Sequence, residues 1–379
     1  NGNYNQSTGT LNFCNSTGSI AASTRNAQLD VYGDFSHTGG TLTETATDTD
    51  MITRINMLGT ASKSLATTGQ ANQVEMVINK SGTAGNDLAS LSASSAISYK
   101  LTLTDGLLVL GSNNLTIAAT ATITAPGSTA SMIVADGSGE LRKTYTATGS
   151  FVYPIGDNTS TLEYSPVTVN VTAGSGFSSA YVGVNLEDKK HDNNSSTTHY
   201  LTRSWKVSQS GITGCVATIT GTYLNTVADV NGTLGSIKAA QLNGTFNQAT
   251  NPWVKTGGSV LSGTTLTYTG ATITAGQVST FTGITSADPT VSISGGGVTV
   301  CKDSTPTLTA NPVGDGTFTY AWTGSITGST TSATATPNTG TSGSNSYTVT
   351  VKDGNGITSA ASSSVSVTVG PTTTWSGTA

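Results

Sequence analysis

ISYKLTLTDGLLVLGSNNLTI, residues 97–117, carries in one line the pattern that decides the fold. Apolar residues alternate with polar ones in ISYKLTL (97–103), and a strand-sized apolar run, LLVL (107–110), follows. A turn, GSNN (111–114), then leads into another short cluster, LTI (115–117). Period-two alternation is the signature of a strand, and no 3.6-residue helical period competes with it here. Apolar clusters of the same kind recur from Leu29 (LDVYGDF), Ile52 (ITRINML), Val74 (VEMVI) and Met132 (MIV). The intervals are about 18–23 residues, the scale of stacked repeat architectures. One short strand set per repeat, punctuated by Gly, Asn and Ser, predicts a parallel β-solenoid over residues 1–145, with rungs about 4.8 Å apart. An antiparallel sandwich with evenly spaced strands is the competing reading of the same intervals.

The composition of the 379-residue chain agrees with sheet. Thr and Ser make up roughly a third of it, charged residues only 9%, and there are 45 Gly against 9 Pro. Low hydrophobicity produces disorder when it comes with high net charge and few β-branched residues. Here the net charge is −5 and β-branched residues are abundant. A Thr-rich, Gly-punctuated chain of this kind suits pleated sheet. There is no basic patch to neutralise phosphates, so nucleic acid is not an expected partner. No apolar run reaches the roughly 18 residues of a membrane helix, so membrane insertion of this segment is not expected. The chain starts at Asn1 without Met or a signal peptide, as expected of a processed product or a fragment.

Beyond residue 145 the pattern changes. From 146 to 288, FVYPIG, SPVTVNVTAG, YVGVNL, HYLTRSWKVS, CVATITGTYL, SIKAAQL and TTLTYTG read as strands at hairpin spacing, a β-sandwich. Trp205 and Val207 share a strand face with Leu201, which assigns Trp205 to the core. From 289 to 370, between Pro289 and Pro371, six or seven short strands fit a small immunoglobulin-like sandwich. Residues 371–379 look like a linker or the opening of a further module. The expected fold class is therefore all-β: a solenoid, a sandwich and an Ig-like (PKD-like) sandwich in series, elongated.

In TFTYAWTG (317–324), Phe318, Tyr320 and Trp322 point to one side of a strand and Thr319, Ala321 and Thr323 to the other. Exposed, such a row would be a sugar-binding platform. Buried, it anchors a sandwich that lacks a disulfide, and the Thr/Ala face opposite suits solvent. The core reading is the expected one, with Tyr347 placed where a tyrosine corner would lie.

These residues resemble a known group of proteins. VSISGGGVTVCKDSTPTLTANP (291–312), FTYAWTG (318–324) and SYTVTVKDGNG (346–356) resemble the PKD-like or Ig-like repeats of large surface proteins of Bacteroidota. NLTIAATATITA, MIVADGSGELRKTY, FVYPIGD and YLTRSWKVSQSGITG resemble the end of their β-solenoid stalks and the sandwich that follows. The resemblance implies a cell-surface location, export by type IX secretion and a role as a long adhesin, including gliding-motility adhesins, or as a module beside secreted enzymes. It also implies a mate for Cys301 after the late NG turn, where this chain has Ile357. Asp303-Ser304-Thr305 is similar to the O-glycan acceptor triplet of that phylum.

Few residues suggest chemistry. Three widely spaced cysteines, Cys14, Cys215 and Cys301, describe neither a disulfide framework nor a metal-ligand cluster. Cys14 and Cys301 are candidates for intermolecular pairing. The three histidines, His37, His191 and His199, fall in no catalytic motif, so no enzyme activity, catalytic residue or cofactor is expected. Asp48 and Asp50 form a D-x-D, and Glu187, Asp188 and Asp192 crowd EDKKHDNN (187–194); both are calcium candidates by their hard oxygen ligands, against the alternative of solvated turns. Asp353 reads as turn chemistry.

The expected function is a non-catalytic stalk or fibre segment of an extracellular bacterial adhesin. Its expected partners are other surface proteins, copies of itself or surface glycans. A self-assembling filament or sheath subunit and a carbohydrate-binding accessory region of a secreted glycoside hydrolase are the alternatives.

Overall fold

The computed structural model describes residues 2–14, 26–45, 52–83, 86–125, 127–226 and 228–371. The chain is all-β, with a single short 3-10 turn, Leu234–Ser236, among the described residues. No helix among them is long and apolar enough to cross a membrane.

The first part is a stack of parallel strands with three faces. On one face Tyr4–Gln6, Phe35–His37, Lys63–Thr67, Leu88–Leu91, Leu107–Val109, Ile133–Val134 and Ile155–Asp157 lie side by side, all parallel. Seven strands at the usual spacing make this face about 29 Å tall. A second face stacks Asn26–Val31, Ile52–Leu58, Val74–Asn79, Lys100–Asp105 and Thr122–Thr124. The third carries Thr10–Asn12 on Thr41–Thr43, then Ser95–Ile97, Leu115–Ile117 and Leu141–Tyr145. This pairing is that of the solenoid and not of the antiparallel alternative.

Register explains why the repeat is legible. Leu29, Ile55, Met76, Leu101 and Ile123 stand above one another, as do Val31, Met57 and Ile78. A one-residue slip would move each of these ladders out to solvent, so the apolar positions dictate the stacking. On the outer side of the same face Glu75 links Arg54 (3.1 Å) and Lys100 (3.0 Å) across three strands.

On its third face the solenoid does not end in an open strand. Leu141–Tyr145 pairs parallel to Leu115–Ile117 on one edge and antiparallel to Ala180–Asp188 on the other. Its sheet then continues through Arg203–Ser210, Val278–Thr285, Ile237–Asn243 and Val254–Lys255. Gly149–Tyr153, Val167–Ser175, Thr213–Thr222 and Thr265–Thr272 form the facing sheet. One apolar core runs without a break from Val31 in the solenoid to Phe281 in the sandwich. Trp205, fully buried, belongs to it, and its indole N–H donates to the Ser165 carbonyl (3.0 Å).

The last part packs two four-stranded sheets. One contains Thr290–Ser294, Leu308–Val313, Thr334–Pro337 and Ile326–Thr327. The other contains Val298–Val300, Val365–Val369, Gly343–Lys352 and Thr319–Thr323. Trp322 is buried with Leu308, Tyr347, Val349 and Val367, and its indole donates to Ser332 O (2.9 Å). Tyr320 is half-buried against this cluster, while Phe318 lies with Pro289 beside Gly314. Thr319, Ala321 and Thr323 are exposed. Tyr347 is buried, but its hydroxyl has no partner, so the hydrogen bond that defines a tyrosine corner is not made.

Candidate functional site

The chemistry of this chain concentrates where its parts meet. At the first meeting point, the final strand on the seven-strand face, Ile155–Asp157, turns back against Glu163–Tyr164, and this pairing sets Asp157 opposite Glu163. In the adjoining sheet Asp188 stands opposite Arg203. Arg203 falls on the same strand face as Trp205, so strand parity drives its guanidinium into the interior. There it is fully buried and meets four carboxylates. Its Nε donates to Asp229 Oδ1 (3.2 Å) and Nη2 to Asp188 Oδ1 (3.2 Å). Nη1 also bonds Asp157, and Nη2 bonds Glu163. Burial pushes the carboxyls of Asp157, Glu163 and Asp229 above their usual range, although Arg203 pulls each down. Burial likewise works against the guanidinium charge, but Asp229, Asp157 and Asp188 overcome it and hold the charge in place.

A second buried cation closes the top of the solenoid. Lys143 projects from Leu141–Tyr145, and its Nζ donates to the carbonyls of Ala118 (2.6 Å), Ala119 (2.9 Å) and Ala121 (2.7 Å). The Phe151 ring covers it at 5.0 Å. Burial pushes this ammonium down to about 8. A further rung would supply backbone N–H groups to such carbonyls; here one side chain does so.

At the second meeting point the turn DGNGI (353–357) keys into the central sandwich. Asp353 accepts hydrogen bonds from the backbone of Asn355 (3.0 Å) and Ile357 (2.9 Å), which shapes the turn. Asn355, 1% exposed, then reaches across: Oδ1 accepts Ser195 N–H (2.7 Å), Nδ2 donates to Ser196 Oγ (3.2 Å), and its carbonyl accepts Trp253 N–H (3.1 Å). Ile357 packs with Trp253, Leu242 and Ile284. Asp315 accepts both Thr197 N–H and Oγ1–H (3.1 Å each), and Gln248 donates to the carbonyls of Thr317 (2.9 Å) and Asp353 (2.7 Å). Gly354 is required by the close approach, because a Cβ there would stand 2.6 Å from Ser195 Oγ.

The expected site residues land in different places. Asp48 and Asp50 lie outside the described residues. Glu187, Asp188 and Asp192 do not converge: Glu187 binds Lys206 (2.6 Å), Asp188 joins the Arg203 cage, and exposed Asp192 pairs with Lys189 (3.0 Å). The rest of that loop serves the second junction, where His191 meets Trp253 edge-on (5.2 Å) and the Trp253 indole donates to Asn193 O (2.8 Å). His37 is buried against Thr67 (3.2 Å), and His199 accepts Thr233 N–H (3.2 Å). All three cysteines are free: Cys14 is half-buried, Cys301 exposed, and Cys215 buried with its thiol pushed up to about 11.

Sequence reasoning passed over Asp157, Glu163, Arg203 and Asp229. The signal that could have found the cage is parity: Leu201, Arg203, Trp205 and Val207 form one inward row, and a charged member of such a row needs buried counter-charges. No family model, curated protein or solved structure matches this chain, and its functional reading rests on these junctions.

Proposed function

We propose that this chain is a non-catalytic stalk segment of an extracellular bacterial surface protein of the adhesin type, a stiff spacer that carries a binding function away from its anchor. The observation that carries this reading is the DGNGI key. Asn355 and Ile357 fasten the last sandwich to the central one through buried polar bonds and an apolar contact. Domains joined by a plain linker move relative to each other by default. Such fastening keeps the reach of the chain constant, which a spacer needs. The continuous core across residue 145 supports the same reading. In this role the last unit acts as a PKD-like or Ig-like repeat, and the partners are other surface proteins, further copies or surface glycans.

Small-angle scattering and electron microscopy of the isolated chain test it, together with antibody labelling of intact cells that produce it. One narrow distribution of lengths and labelled cell surfaces are expected. Particles bent at many angles, or an antigen found only inside cells, would overturn the proposal. Regular filaments of the 38.1 kDa chain would favour the assembly reading instead.

A further inference from the structure

We propose that Asp157, Glu163 and Asp188 bind one hard divalent cation of the calcium class beside Arg203. One oxygen from each of the three carboxylates lies within 4.8 Å of the others. A calcium ion sits about 2.3–2.6 Å from its oxygen ligands, so oxygens on opposite sides of it are about 5 Å apart. The three groups are therefore already at ligand spacing. No His or Cys is among them, which selects against softer metals.

Charge points the same way. Four carboxylates face a single guanidinium, with side-chain exposures of 0% at Asp157 and Asp229, 6% at Glu163 and 22% at Asp188. Excess negative charge taken out of water must be compensated, by a cation or by protons. Carboxylates that bridge an arginine and a metal ion meet that need without moving a strand. Asp188, the partly exposed member, supplies the route of entry.

An independent observation concerns Tyr223. Its hydroxyl is buried, 1% exposed, and has no hydrogen-bond partner. Trp205 packs on Gly221 across the sandwich. The residue after Tyr223, Leu224, donates its backbone N–H to Asp229 Oδ2 (2.6 Å), and Asp229 accepts from Arg203 Nε, so Tyr223 lies beside the cage. The Asp229 charge acts directly on its phenol. A buried hydroxyl left unpaired costs stability, and a water held by the cation would satisfy it. Ser165, two residues after Glu163, offers a second buried hydroxyl without a partner.

The ion would join the last solenoid hairpin, which carries Asp157 and Glu163, to the sandwich strand that ends at Asp188. The test uses the whole chain, stripped with EDTA and titrated with calcium chloride while metal content and melting temperature are followed. One calcium per chain and a melting temperature that rises with calcium are expected, with magnesium at least tenfold weaker. Asp188→Asn should weaken calcium at least tenfold, whereas Glu187→Gln and Asp192→Asn should leave it unchanged. Terbium luminescence on the unmodified chain, displaced by calcium, provides a readout that no variant's folding can compromise. Absence of calcium, of a thermal shift and of terbium emission at millimolar ion would overturn the proposal and leave protons as the compensating charge. Equal loss with Glu187→Gln would also overturn it.

Discussion

The Trp205 indole rests directly on the backbone of Gly221: a Cβ at position 221 would stand 2.7 Å from the ring. The two residues come from opposite sheets, and the contact fixes how closely the sheets approach. Gly221→Ala should therefore force the sheets apart or turn the indole. Overpacking of this kind costs about 1–3 kcal/mol. Urea unfolding should show a lower midpoint with an unchanged slope.

Arg203→Met should be far more damaging than its small change in volume suggests. It leaves four carboxylates facing one another in the interior. Removing one partner of a buried charge cluster costs about 3–5 kcal/mol. Arg203→Lys should rescue little, because a single ammonium cannot reproduce a planar fork of five donors. Calorimetry on both variants gives the comparison, and near-wild-type melting of Arg203→Lys would contradict it.

At the second junction, Asn355→Ala removes the acceptor for Ser195 N–H and the donor to Ser196 Oγ. An unpaired buried donor costs about 1–3 kcal/mol. With Ile357→Ser added, the last sandwich is left to the Asp315–Thr197 and Gln248 bonds and should swing more widely while keeping its own fold, since its core of Leu308, Trp322, Tyr347 and Val349 is separate. Scattering should then report a broader range of lengths, with an unchanged melting transition for that unit.

Alkaline pH should relieve the cost of burying the Lys143 charge. Its folded-state value is pushed down to about 8, against 10.5 for the free group. Between these values the unfolded chain holds a proton that the folded chain has released. Stability gained from this group therefore rises with pH across that window. The melting-temperature difference between wild type and Lys143→Met should grow in favour of wild type from pH 8 to 10.5. Buried Cys215, at about 11 instead of 9, acts with the opposite sign between those values. Tyr145 and Tyr223, both raised to about 12 by burial, do the same above 10. Both chains should thus lose stability together at the alkaline end.

The parallel solenoid could be read from sequence because its information is local and repeated. Leu29, Ile55, Met76 and Leu101 occupy the same place in successive turns, so spacing alone implies stacking. Trp205 was legible for a similar reason, since its neighbours Leu201 and Val207 share its face. The Arg203 cage was not, because Asp157, Glu163, Asp188 and Asp229 come from four separate segments whose adjacency depends on strand order. The DGNGI turn was half legible. Asp353 does shape it, but the docking of Ile357 depends on Trp253, which lies in another unit. The crowded loop 187–194 does not act as one cluster: its carboxylates alternate across a strand and its turn, so neighbours in sequence point apart and only Asp188 reaches the cage.

Leu141–Tyr145 has one further consequence, for how the molecule bears a pull. In a stack of rungs the inter-strand hydrogen bonds run along the axis, so tension on the stack stretches the bonds of several faces at once. At this strand the tension meets no tether of loose chain. It passes through Tyr145 and its neighbours into Ala180–Asp188, and from there into Arg203–Ser210, by the same kind of bond. Force applied across this junction is thus distributed over rows of backbone amides in parallel, and here no single linker is the place to tear.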